Sequence, residues 1–149
     1  VVLNGKKLVG ILTEMSAQMN YIEYLVTGIG INANLREFPE ELADKATSLQ
    51  KEIGHKVNRS ALIAECMKKI EENYEIFVKT QDLSGLMAAY QEVLVNQDQQ
   101  VRVLEPGHEY TGVARGINAM GELLVEKEDG TVTEVYAGEV SVRGLYGYV

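Results

Sequence analysis

The feature that most limits how this chain can fold is a change of hydrophobic period near residue 98. From Ser60 onward the apolar residues Leu62, Ile63, Cys66, Met67, Ile70, Tyr74, Phe77 and Val78 recur three or four apart, which lays them on one face of a helix. Asn58 or Ser60 serves as its N-cap, and the pattern ends near Thr80. After a break at Asp82-Leu83-Ser84-Gly85, a shorter helix carries Leu86, Met87, Tyr90, Val93 and Leu94. Beyond Asn96-Gln97-Asp98 the period becomes that of short strands, over residues 101–104, 110–117, 122–126, 131–136 and 140–142, parted by turn-forming clusters such as Pro106-Gly107 and Glu128-Asp129-Gly130. The strands after the switch form a small all-β module of about fifty residues, marginal unless it packs on the rest.

The N-terminal part opens with a second strong signal. Asn4-Gly5 is the dipeptide that best tolerates two successive positive φ angles, so it predicts a type I′ turn between a stub at residues 1–3 and a strand running from Lys6 to about Ser16. A turn near residues 17–20 then leads into a strand over 21–32, rich in β-branched and aromatic residues. Residues 1–34 therefore read as an antiparallel meander that lacks its beginning. Residues 35–56 are polar, contain Pro39, and read as a long connection with short helical turns around 40–46 and 48–53. The two later helices are expected to cover one face of this sheet.

Composition removes several functional classes. Of 149 residues, 46% are hydrophobic, enough for a core. Fourteen basic against 22 acidic residues leave a net charge of −8, which repels phosphate backbones and argues against nucleic-acid binding by this chain. No apolar run approaches the roughly 18 residues that would cross a bilayer, so no membrane partner is expected. The single Cys66 sits in an apolar helical context and has no internal disulfide partner, which points to a reducing compartment, the cytoplasm. His55 and His108 stand far apart with no ligand-spaced Cys or carboxylates, so no protein-held metal site is expected.

Gly28 and Gly30 lie two apart in a predicted strand, baring one face while Ile29 and Ile31 line the other. Either a slender ligand lies against the bare face, or an element of the fold packs tightly on it. A dinucleotide fingerprint does not fit, because the polar Asn32-Ala33-Asn34 and a loop follow where a helix is needed. Lys6 and Lys7 after a turn read, on their own, as a solvated edge.

Three segments together say more. Asn4-Gly5-Lys6-Lys7-Leu8-Val9-Gly10-Ile11-Leu12-Thr13-Glu14, then Gly28-Ile29-Gly30-Ile31-Asn32-Ala33-Asn34, then Ala137-Gly138-Glu139-Val140-Ser141-Val142-Arg143 resemble, in order and spacing, three landmarks of biotin protein ligase, the biotin-[acetyl-CoA-carboxylase] ligase. The resemblance spans the chain. It implies an α+β fold: the C-terminal portion of a catalytic domain related to class II aminoacyl-tRNA synthetases, an antiparallel sheet with covering helices, over residues 1–97, and a small SH3-like β-barrel over 98–149. It also implies a reaction in which biotin and ATP, brought with Mg2+, form biotinyl-5′-adenylate, which then acylates a lysine of a biotin carboxyl carrier protein.

Within that resemblance Lys7 matches the essential lysine that contacts biotin and the adenylate phosphate. With biotin as the ligand, the bare face puts Gly28 and Gly30 on the biotin side, with Gly10 and Leu12, while Asn32 matches the asparagine near the nucleotide, its other reading being a strand-end cap. Glu139 and Arg143 match C-terminal residues that act on the nucleotide side, the alternative being a salt bridge within the module. In a regular strand, however, Lys6, Leu8, Gly10 and Leu12 share a face and Lys7 takes the other. Either a bulge beside the turn re-aims Lys7, or Gly10 and Leu12 meet the ligand through their backbone.

The resemblance further implies an upstream glycine- and arginine-rich loop and a Lys-Trp-Pro-Asn-Asp segment, neither of which occurs in this chain, which has no tryptophan. The chain is therefore expected to be a portion of a longer protein and not competent alone to form the adenylate. Some members also carry an upstream helix-turn-helix domain and repress biotin genes as dimers paired through their sheets, to which a strand at residues 21–26 would contribute. Two rival functions stand beside the ligase: a non-enzymatic SH3-like partner-binding module, and a lipoate ligase.

Overall fold

The computed structural model describes residues 1–104, 107, 109–136 and 141–144. They form two compact units, Val1–Ile63 and a second from Ala64 onward, with the division inside a helix.

The first unit begins with the predicted turn. Asn4 and Gly5 take φ of 51° and 75°, the left-handed pair a type I′ turn requires. They join β1 (Val2–Leu3) to β2 (Lys6–Lys7) with Val2 opposite Lys7. The chain continues into β3 (Val9–Gln18), turns at Met19-Asn20, and returns as β4 (Tyr21–Ile31) in antiparallel register, Gly10 opposite Gly30 and Leu12 opposite Gly28. A register shift beside Ala17 leaves Glu23 as the extra residue, and its carboxylate accepts from Ser16 Oγ and Gln18 Nε2.

The polar connection does more than cross space. It carries a 3-10 turn at Glu40–Leu42 and α1 (Leu49–Ile53), whose N-cap Ser48 accepts from the Lys51 N–H. Between them Ala46, Thr47 and Ser48 are buried, and Ala46 bridges Lys7 in parallel.

The second unit is built on a long helix, α2 (Arg59–Thr80), whose first residues belong to the first unit. Asn58 is its cap, accepting from the N–H groups of Ser60 and Ala61. Then come α3 (Met87–Glu92) and five antiparallel strands, β5 (Gln100–Leu104), β6 (Tyr110–Ile117), β7 (Leu123–Glu126), β8 (Val132–Val135) and β9 (Ser141–Gly144), in the order β8-β7-β6-β5-β9. Val101, Val103, Ala114, Val125 and Val135 make its core, with Tyr110 and Leu123 packed against them. The five strands fall within two residues of the predicted ones. Among the described residues β8 and β9 do not pair, so the structure is an antiparallel sheet with two edges.

Within the second unit the shorter helix packs on the strands that follow it. Leu83 and Leu86 before it and Tyr90 within it line an apolar pocket with Ile117 and Gly121, and the Leu83 N–H donates to the Ala119 carbonyl. An apolar stripe predicts that a helix needs a partner; it does not choose which sheet supplies one.

Candidate functional site

The site is assembled in the first unit from β2, the facing strands β3 and β4, and the connection after them. Its decisive feature is a bulge at Leu8. Both the Leu8 and Val9 N–H groups donate to the Val1 carbonyl, at 3.0 and 3.1 Å, so two residues of one strand oppose one of the other. The extra residue reverses the alternation. Lys7 therefore comes to the Gly10 side, and its Cε lies 3.8 Å from the point a Cβ on Gly10 would occupy.

Lys6 is directed elsewhere. Its Nζ donates to the Ala43 carbonyl at 3.1 Å in a half-buried position, while Lys7 is exposed. Lys7 is also held on both sides of its backbone: Val2 pairs with it on one edge, and on the other its N–H donates to Lys45 O and its carbonyl accepts from Thr47 N.

Residues opposite one another in an antiparallel ladder share a face, so Gly10, Gly30, Leu12 and Gly28 line the surface over which Lys7 extends. A Cβ on Gly28 would meet only the Leu12 carbonyl oxygen at 3.7 Å, and one on Gly30 only that of Gly10 at 3.8 Å. These are ordinary contacts within the sheet. Within the first unit no other element comes within 4 Å of where those Cβ atoms would lie.

Asn32 ends β4. Its N–H donates to Leu8 O and its carbonyl accepts from Leu49 N. It lines an open cleft of about 300 Å³ with Ile31, Ala33, Asn34, Leu35 and Arg59. Asn34 shapes that cleft by exchanging two hydrogen bonds with the Val57 backbone. Arg59 carries no motif signal; its one local mark is that it follows the cap residue Asn58.

Sequence reasoning also missed Glu52. One carboxylate oxygen accepts from Asn4 Nδ2 at 2.6 Å and the other from Thr47 Oγ1 at 2.5 Å. These two hydrogen bonds, with Lys6 and Lys51 nearby, hold its carboxyl below the usual value of 4.5.

Glu139 lies outside the described residues, and position 143 is in β9 opposite Arg102. Among the described residues no group of three or more His, Cys, Asp or Glu could hold a metal ion, and no helix is long and apolar enough to cross a membrane.

Comparison with known proteins meets this geometry from outside. Residues 98–143 match the family described as biotin protein ligase C terminal domain. The bifunctional ligase/repressor BirA of Bacillus spizizenii is 31% identical over 144 residues, covering 95% of this chain and 44% of that protein. The apo structure of biotin protein ligase from Aquifex aeolicus superposes over 95% of this chain with a TM-score of 0.80 and 31% identity, covering 61% of that chain. Along nearly its whole length the chain is similar to biotin protein ligases. What it spans is consistent with the C-terminal part of such proteins, and it covers a little under half the length of the BirA relative. The Aquifex enzyme in complex with biotin and ATP is likewise similar, with a TM-score of 0.77 and 29% identity over 95% of this chain and 58% of that one.

Proposed function

We propose that this chain forms one wall of a site that makes biotinyl-5′-adenylate and passes biotin to a lysine of a biotin carboxyl carrier protein. The observation that carries the reading is the bulge-directed Lys7 lying over a glycine face that no other element of the first unit covers. A bare strip beside one ammonium group suits a slender, mostly apolar acid that must be joined to a phosphate. The similar Aquifex protein solved with biotin and ATP supports both substrates.

In the first step an oxygen of the biotin carboxylate bonds to the α-phosphorus of ATP as the bond to pyrophosphate breaks. In the second the acceptor amine bonds to the acyl carbon, AMP leaves and the amine loses a proton. Negative charge grows at the α-phosphate in the first step, and a fixed cation there stabilises it. Lys7 takes that role, with Gly10, Leu12, Gly28 and Gly30 along the biotin side and Asn32 at the nucleotide. Glu139 and Arg143 keep the nucleotide-side role that the resemblance gives them. Magnesium enters with ATP as part of the substrate. Residues 1–97 are assigned to the catalytic domain and 98–149 to an SH3-like domain, a reading supported by the family match that starts at residue 98.

Titration of the complete protein with biotinyl-adenylate tests this. Lys7→Ala is expected to lose about 10- to 100-fold in affinity, the usual worth of a hydrogen bond to a charged group. Equal binding by Lys7→Ala and the unaltered protein would refute the lysine's role. No binding by either would favour a partner-binding module, and preference for lipoyl-adenylate would make the protein a lipoate ligase.

A further inference from the structure

We infer that Glu52 is a positioning residue for Lys7, a staple that fixes the lysine's height over the glycine face without touching the ligand. The inference rests on the ligand-binding reading of Lys7 given above.

Little holds β2. It is two residues long, and so is its partner β1. Ladders that short do not persist on their own pairing. The other edge of β2 is one parallel bridge to Ala46, with hydrogen bonds to Lys45 O and from Thr47 N. Lys7 therefore hangs between two weak supports, the Asn4-Gly5 hairpin on one side and the 45–47 segment on the other.

Glu52 bonds to both. Asn4 Nδ2 donates to one carboxylate oxygen and Thr47 Oγ1 to the other, so one side chain closes the hairpin tip onto the parallel segment around the strand that carries Lys7. The anchor is sound at its far end: Thr47 is 1% and Ser48 0% exposed, and α1, which carries Glu52, starts from the Ser48 cap. Through these two partners the Glu52 carboxylate acts on β2, and a shift of about 1 Å in a positioned group can cost up to about a hundredfold.

A double-mutant cycle read by biotinyl-adenylate titration, with thermal unfolding alongside, decides the matter. Glu52→Ala is expected to weaken binding about tenfold and leave the melting temperature within two or three degrees of the parent. Glu52→Gln, with the Asn4 amide turned over to offer its oxygen, keeps both ties and is expected to bind nearly as well as the parent. In the Lys7→Ala background Glu52→Ala is expected to cost nothing further. Asn4→Gly preserves the left-handed turn while removing one tie, and is expected to show the same dependence on Lys7 should Glu52→Ala fold poorly.

An unchanged affinity in both Glu52→Ala and Asn4→Gly overturns the inference while leaving Lys7 in place. So does an equal loss with and without Lys7, which marks a general loosening of the unit. If Lys7→Ala itself binds normally, the functional reading fails and this inference fails with it.

Discussion

Replacing Gly30 by alanine separates a surface kept bare for a ligand from one kept bare for packing. The added Cβ would lie 3.8 Å from the Gly10 carbonyl oxygen, an ordinary contact, and would meet nothing else within 4 Å. Alanine in a strand also avoids the backbone entropy that glycine loses on folding, so the variant is expected to gain about 0.5–1 kcal/mol, a rise of roughly 1–4 °C in melting temperature. Gly112→Ala is the control. There the Cβ would fall 2.5 Å from the Glu126 carbonyl oxygen and 2.6 Å from Val125 Cγ1. Backbone cannot yield as a flexible side-chain end can, and a loss of about 1–3 kcal/mol is expected. Binding reverses the order: Gly30→Ala, with a methyl group in the path of anything lying flat on the strand, is expected to lose at least about tenfold in affinity for biotinyl-adenylate, since close approach is what strand glycine permits. Gly112→Ala is expected to keep its affinity at temperatures where it is folded. Thermal unfolding and titration on the same preparations give both numbers. Unchanged affinity in Gly30→Ala, or destabilisation as large as that of Gly112→Ala, would refute the reasoning.

Lys6 and Lys7 should part company in the same titration, because Lys6 Nζ is occupied by the Ala43 carbonyl. Lys6→Ala is expected to bind within about threefold of the parent, well inside the 10- to 100-fold loss that removing a charged hydrogen bond brings. Asn58→Ala removes the acceptor for two N–H groups at the start of α2 and is expected to cost about 1 kcal/mol in chemical denaturation. Acid should weaken the fold through Glu52. Its hydrogen bonds depress the folded-state pKa below 4.5, so its contribution is present above that value and is lost as pH falls through the lower folded value. Melting temperature followed downward from pH 5 is expected to fall less steeply in Glu52→Gln than in the parent.

Much of the fold was legible because it is local. The Asn4-Gly5 turn, the Asn58 cap with the 59–80 helix, and the five short strands each follow from neighbours within a few positions. The site was only partly legible. Alternation within one strand places Gly28 and Gly30 on a common face, and pairing then adds Gly10 and Leu12 to it. Nothing in residues 35–56 announces that 45–47 will bridge β2, or that Glu52 will reach the turn forty-eight residues before it. Their polar character reads as loop because their hydrogen bonds go to distant partners and not to neighbours.

By itself, then, the sequence determined the elements, their order and the family that the chain resembles, since turns, caps and hydrophobic periods act over one or two turns of chain. Tertiary structure alone decided which lysine meets the glycine face and which sheet receives the short helix. Strand alternation is a parity, and one extra residue at Leu8, imposed by pairing with Val1, inverts it. A parity set by a partner strand cannot be read from the strand that carries it.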